Sequence, residues 1–256
     1  MKISLALSGG GIRAAAHLGV VKVLQENGFE IAAISGSSGG AIVGALLCDK
    51  KRPEDILKLI KTLKLKDLAG PSGAGGVFGL GKLEKILQEN LESKRIEDLP
   101  VPFTVACTDL SGGSVLYFDE GPLSKLTIAS SSLVPIFSPV KHEGMLLADG
   151  GFMDNLPAKP LKRYGYPIVG INVNPIPQKE PSGLLSATIR VLMLMMGANI
   201  KASREFVDFY IEPSGCGEIN IFDLKKADTA YEEGVRSAQN SLADLISAME
   251  HKDKKN

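Results

Sequence analysis

The chain has 256 residues, enough for one large domain or two small ones, with an ordinary globular balance of 44% hydrophobic and 23% charged residues. Its 29 basic residues balance 29 acidic ones, so no global field draws it to nucleic acid or to an anionic membrane. Three widely spaced cysteines, Cys48, Cys107 and Cys216, make neither a disulfide framework nor a zinc site, and a reduced, cytoplasmic setting fits them.

The opening MKISLALSGGG has one lysine and an apolar run that stops at Leu7. That run is too short for a signal-peptide core and reads as a buried strand over 3–7. Gly9-Gly10-Gly11 form a turn, and 12–27 read as a helix stopped by Gly28. A second strand at 31–34 leads into a small-residue helix at 39–48. Residues 53–65 form a basic amphipathic helix whose Lys58, Lys61, Lys64 and Lys66 read as a solvated face. The glycine-rich 69–81 is either a flap over a site or a surface linker. A helix at 82–91 follows. Strands at 103–109 and 114–118 are joined by Ser111-Gly112-Gly113 as a hairpin. A short helix at 123–131 precedes a strand at 145–147, which runs into Asp149-Gly150-Gly151.

A buried strand at 168–173 stops before Pro175, and 209–211 read as a late strand. Residues 184–196 are a methionine-rich helix, 227–249 a long amphipathic one, and the tail 251–256 reads as frayed. Nothing here reaches the 18 apolar residues of a membrane span, and 184–196 is interrupted by Ser186, Thr188 and Arg190. Core packing is the favoured role of Met193, Met195 and Met196, ahead of an acyl groove or lipid contact. Strands alternate with helices, which predicts one α/β domain over 1–256 with a largely parallel sheet.

Three glycine turns carry the chemistry. Gly36, Ser38 and Gly40 spell Gly-x-Ser-x-Gly between a strand and a helix, the context of a nucleophile elbow. The structural alternative for Ser38 is a helix N-cap. Ser8 to Arg13 lies between another strand and helix. Its glycines let backbone N–H groups converge on a negative oxygen, and the N–H of Gly39, after the serine, can join them. Arg13 either fixes this loop, attracts an anionic head group, or pairs with a carboxylate at the surface. Gly9, Gly11 and Ala14 also fit the dinucleotide pattern G-x-G-x-x-A. That fingerprint needs an acid at the end of the second strand, whereas Glu30 precedes it.

A serine needs a base. His17 lies in the first helix, His142 in a polar turn and His251 in the tail, so a Ser-His-Asp triad is not expected. Asp149, between a strand and two glycines, is the candidate carboxylate base; its structural alternative is a turn aspartate bonding its own backbone.

These blocks resemble the patatin-like phospholipases, in particular their small bacterial members. The resemblance rests on Gly9-Gly10-Gly11-Ile12-Arg13, on Gly36-Ser37-Ser38-Gly39-Gly40, on Asp149-Gly150-Gly151, and on Ala129-Ser130 through Pro135, Phe137 and Pro139-Val140. It covers about 2–157; beyond it no motif matches, and helices within 184–249 complete the domain. Ser138, where a proline is common, is a minor departure. The resemblance implies a three-layer α/β/α sandwich with a mostly parallel central sheet. It implies a dyad with Ser38 as nucleophile and Asp149 as base, and an oxyanion hole of Gly9, Gly10 and Gly11, with no metal and no cofactor. Gly36, Gly40, Arg13, Gly150 and Gly151 would support them. The expected activity is ester hydrolysis on lipids, of phospholipase A, lysophospholipase or esterase type. Peripheral membrane contact is allowed, nucleic acid is not expected, and the oligomeric state is left open. The alternative is a non-catalytic lipid-binding or regulatory protein on the same scaffold.

Overall fold

The computed structural model describes residues 1–68, 70–72, 76–178 and 180–253, and of these every side chain except those of 185 and 251–253. Strand β1 (Lys2–Leu7) leads through a 3-10 turn at Gly11–Ala14 into helix α1 (Ala15–Glu26). Strand β2 (Glu30–Gly36) leads into α2 (Gly39–Cys48). Helices α3 (Pro53–Thr62), α4 (Leu65–Leu68) and α5 (Gly81–Asn90) follow. The hairpin β3 (Phe103–Asp109) and β4 (Ser114–Phe118) precedes α6 (Leu123–Ser130), and the hairpin β5 (Val140–His142) and β6 (Met145–Asp149) comes after it. The chain closes with β7 (Ile168–Ile171), α7 (Leu184–Ser203), β8 (Phe209–Ile211) and α8 (Ala227–Asp253).

The predicted helix at 53–65 is two pieces. Pro53 starts α3, with Glu54 and Asp55 in its first turn, where they complement the helix dipole. Leu63 turns extended, and the Asp67 carboxylate accepts the Lys64 N–H at 2.9 Å, which starts a new turn. The glycine-rich segment is described only in part, since 69 and 73–75 lie outside the described residues. Its end is pinned: Val77 and Phe78 donate to the carbonyls of Pro135 and Ile136, and Ser138 donates to that of Phe78. The frayed tail is helical to Asp253, and 254–256 lie outside the described residues.

The strands form one sheet in the order β5-β6-β3-β2-β1-β7-β8, with β4 also on β3. Strands β3, β2, β1, β7 and β8 are parallel neighbours, while β4, β5 and β6 pair antiparallel. The sheet is therefore parallel at its centre and mixed on the β3 side. Side chains alternate across it. Ile3, Leu5 and Leu7 of β1 join the large core with α1, α2, α3, α5 and α6. Ala6, Ala33 and Ile168 face a thinner layer, made by Leu161 of the 3-10 segment Lys159–Tyr164 and Ile200 of α7.

Helix α1 is buried on almost every side because α8 lies across it. Two glycines make this crossing close: a Cβ on Gly19 would strike the Tyr231 carbonyl, and one on Gly234 would strike that of Ala16.

Candidate active site

Strand β3 brings the two turns together. Its residue Val105 pairs with Gly36 of β2 on one edge and with Phe118 of β4 on the other. Two residues on, Cys107 pairs with Asp149 of β6. Since β4 holds the second edge throughout, β2 and β6 share the first. They run in opposite directions and end facing each other across Ala106.

Ser38 sits in that gap. Its backbone is held at φ 50 and ψ −125, a costly conformation for a residue with a side chain. Gly40 permits the turn: a Cβ there would lie 2.5 Å from the carbonyl oxygens of Leu7 and Ser8. Although Ser38 occupies the N-cap position of α2, its side chain makes no capping bond. It donates instead to Asp149 Oδ2 at 2.7 Å. The Ser38 N–H donates to Ser130 Oγ at 2.9 Å, and Ser130 Oγ donates to the Ala106 carbonyl at 2.6 Å. The carbonyl left open where β2 and β6 stop is thus what anchors the serine.

Asp149 is buried, and burial pushes its carboxyl up to about 7. The bonds from Ser38 and from the Gly151 N–H, the latter to Oδ1 at 2.8 Å, pull the other way without overcoming it. Thr108 Oγ1 donates to the Asp149 carbonyl, and the Asp149 N–H donates to Ser132 O, so the backbone is fixed as well. His17 is held elsewhere by one nitrogen: its Nε2 bonds the Ser8 carbonyl at 2.9 Å, its Nδ1 is buried with no partner among the described residues, and burial lowers its pKa to about 4. His142 lies edge-on to Phe118 in β5, and the side chain of His251 lies outside the described residues.

The glycine loop departs from expectation at Gly9. Its N–H donates to Asn155, to Oδ1 at 3.1 Å and to the carbonyl at 3.2 Å, so it does not stand free. Gly10, Gly11 and Gly39 line the pocket beside Ser38, and among the described residues their N–H groups have no acceptor. Gly11, at φ +57, turns the chain into the helix. Arg13 is not a surface arginine. It is buried, its Nε donates to Ile219 O at 2.7 Å and its Nη2 to Gly217 O at 3.2 Å, tying the glycine loop to the segment before α8. Gly150 is crowded against the Ala106 carbonyl, where a Cβ would not fit. The dinucleotide pattern loses its partner: Glu30, at the start of β2, pairs with Lys2 at 3.2 Å, at the far end of the strand from the loop.

Three residues of the site, Asn155, Asn174 and Asn199, were not singled out in the sequence, and Ser130 stood there within a matching block with no role of its own. Asn174 donates to the Gly9 carbonyl, and Asn199 accepts the Asn155 N–H and donates to the Gly151 carbonyl. The one visible signal was asparagine in apolar company, as in Ile171-Asn172-Val173-Asn174 after β7.

The pocket over the dyad is apolar, walled by Ile42, Ile60, Leu83, Phe137, Met193 and Phe222 among others. Helix α7 divides: Met193 and Met196 face the pocket, while Leu184, Val191 and Met195 are 86%, 54% and 61% exposed. The core reading of this segment thus holds for one face only.

The patatin-like phospholipase family model matches residues 5–162. An uncharacterized NTE family protein of Mycobacterium tuberculosis is 36% identical over 164 residues, 62% of this chain and 45% of the relative. Neuropathy target esterase sws of Drosophila melanogaster is 31% identical over 174 residues, 64% of this chain and 12% of the relative. A lysophospholipase of Emericella nidulans is 29% identical over 194 residues, 71% of this chain and 12% of the relative. The chain therefore spans less than half the length of these relatives. Among solved structures, VipD from Legionella pneumophila superposes with a TM-score of 0.62 at 14% identity, covering 95% of this chain and 66% of that one. The type III effector protein ExoU gives 0.51 at 13% identity, covering 94% and 52%. At these identities the two structures speak to the fold alone.

Proposed function

The chain belongs to the patatin-like phospholipase family, and we propose that it is a serine hydrolase of lipid carboxylic esters. The observation that carries this reading is the 2.7 Å bond from Ser38 Oγ to Asp149 in the wall of an apolar pocket. An ordinary carboxylate is a feeble base for a hydroxyl, but one raised to about 7 is far better matched to the task.

In this reading Asp149 takes the Ser38 proton as Oγ attacks the ester carbonyl. The N–H groups of Gly10, Gly11 and Gly39 receive the oxyanion. Asp149 returns the proton to the leaving alcohol, whether glycerol backbone or lysolipid. Water, deprotonated by the same carboxylate, then releases the acyl chain from Ser38. The apolar wall takes the tail, and among the described residues the pocket's side chains offer no charge except Asp149. Peripheral contact with a lipid surface belongs to the same proposal, through the exposed face of α7.

A fluorophosphonate probe tests the reading directly. Wild type is expected to label at Ser38, and Ser38→Ala and Asp149→Asn to lose about 10³-fold or more in ester hydrolysis. Near-native activity in either variant would remove the dyad. An unlabelled protein that still bound lipid would favour the non-catalytic alternative. A lipid-class comparison of wild type with Ser38→Ala by mass spectrometry would name the substrate among phospholipid, lysophospholipid and glyceride.

A further inference from the structure

One side-chain donor in the lining of the pocket over Ser38 and Asp149 is unspent among the described residues. Asn155 is 1% exposed, and three of its four hydrogen-bonding groups are committed. Its N–H donates to Asn199 Oδ1 at 2.9 Å, and its carbonyl and Oδ1 both accept from Gly9. Acceptance from Gly9 fixes which end of the carboxamide is oxygen. The remaining group, Nδ2, is buried and has no partner.

Its place is at the reacting centre. Asn155 lines the same pocket as Ser38 and Asp149. The point where a Gly9 Cβ would stand is 2.6 Å from Asn155 Oδ1 and 2.8 Å from Ser38 Cβ. The corresponding point on Gly151 is 2.7 Å from Asn155 Oδ1 and 3.0 Å from Asp149 Oδ1. The carboxamide is therefore close to both members of the dyad, one glycine away from each. The other side-chain donors of the pocket wall are spent: Ser131 bonds Thr127 O, and Asn174 Nδ2 bonds Gly9 O.

We propose that Asn155 is a catalytic residue, its Nδ2–H donating to the oxyanion that forms when Ser38 attacks the ester. A buried amide without a partner costs about 1–3 kcal/mol, and such a group persists where a ligand completes it. A neutral donor gains most from an oxygen that becomes charged only in the transition state. The bond that Oδ1 receives from Gly9 polarises the amide and strengthens its N–H as a donor. Gly9 thus serves the oxyanion through Asn155 instead of directly. No proton changes hands at Asn155; it stabilises charge while Asp149 carries the proton.

This inference rests on the hydrolase reading, and the test separates the two. Asn155→Ala removes both the side-chain bond to Gly9 and the donor, leaving Gly9 its bond to the 155 backbone carbonyl, whereas Asn155→Asp keeps a side-chain acceptor for Gly9 and removes the donor. Both are expected to lose about 10²–10³-fold in kcat on a water-soluble ester, with KM within about threefold. Both should weaken inhibition by a trifluoromethyl ketone, which forms a tetrahedral adduct on serine, by the same factor as kcat. Retention of kcat in Asn155→Asp, a loss carried by KM, or inhibitor affinity that does not follow kcat would each overturn the proposal. Melting curves check both folds, and the near-isosteric Asn155→Asp stands if Asn155→Ala does not fold. A wild type labelled at Ser38 beside unaffected Asn155 variants overturns this inference alone; an unlabelled and inactive wild type overturns both.

Discussion

Asp149 must be ionised to accept a proton, yet everything around it except Ser38 and Gly151 resists ionisation. Burial wins over the two hydrogen bonds and leaves the carboxyl near 7. The base form therefore grows in as pH rises, and kcat/KM on a water-soluble ester should climb tenfold per pH unit below a midpoint near 7. A midpoint near 4 would show that the carboxylate keeps its ordinary affinity and that the oxyanion contacts carry the barrier. Ser38 and Asp149 were legible in the sequence because each closes a strand and is followed by glycines, a local pattern. Asn155 and Asn174 were not, because each acts on a distant part of the chain: Gly9 and Asn155 are 146 positions apart. Ser130 stood in a matching block, but its bond to the Ser38 N–H spans 92 positions and gave the sequence no role for it. Arg13 stayed among three roles for the same reason, and the structure selects the first of them, fixing the loop. Its partners at Gly217 and Ile219 lie 204 and 206 positions downstream, so nothing near it marked it as buried.

Helix α7 shows the same limit at the level of an element. Ser186 and Arg190 share one face of this helix and Thr188 lies opposite, so 184–196 shows no single apolar stripe, and core packing was favoured for the whole segment. The fold makes it both core and surface. Met193 and Met196 wall the pocket, and further along Asn199 and Ser203 hold the segment from Gly151 to Asp154, Ser203 donating to Asp154 Oδ1 at 2.7 Å. The opposite face presents Leu184, Val191 and Met195 to solvent, on the helix that walls the pocket. Met195→Asp is expected to lower binding to phosphatidylcholine vesicles, and hydrolysis on them, by about tenfold, the scale of a buried apolar side chain exchanged for a charge. The rate on a soluble monomeric ester should stay as in wild type. Unchanged vesicle binding would place the lipid contact elsewhere. The hairpin strand β5 escaped prediction for a simpler reason: three residues are too few to show alternation.

For the molecule as a whole, the buried Asp149 carboxyl is a cost that the rest of the fold carries. Asp149 ionises at an ordinary 3.8 when unfolded and near 7 when folded. Between those values the folded chain holds a proton that the unfolded chain has lost, so stability falls as pH rises through the window. His17 does the reverse. Unfolded it takes a proton near 6.5, folded only near 4, so stability falls as pH drops through that range. Asp154, also raised by burial, adds a slope of the same sign as Asp149. Wild-type stability is the sum of these and cannot be assigned to one group. The difference between Asp149→Asn and wild type can, because His17 and Asp154 are common to both. That difference should be constant below about pH 4. It should then grow in favour of the variant by up to about 1.4 kcal/mol per pH unit, and level off above about pH 7. Urea midpoints at pH 4, 5.5, 7 and 8.5 would trace it. Two curves that stay parallel across the whole range would mean that the folded chain ionises Asp149 as readily as the unfolded one, and the carboxylate would then be no better a base than one in water.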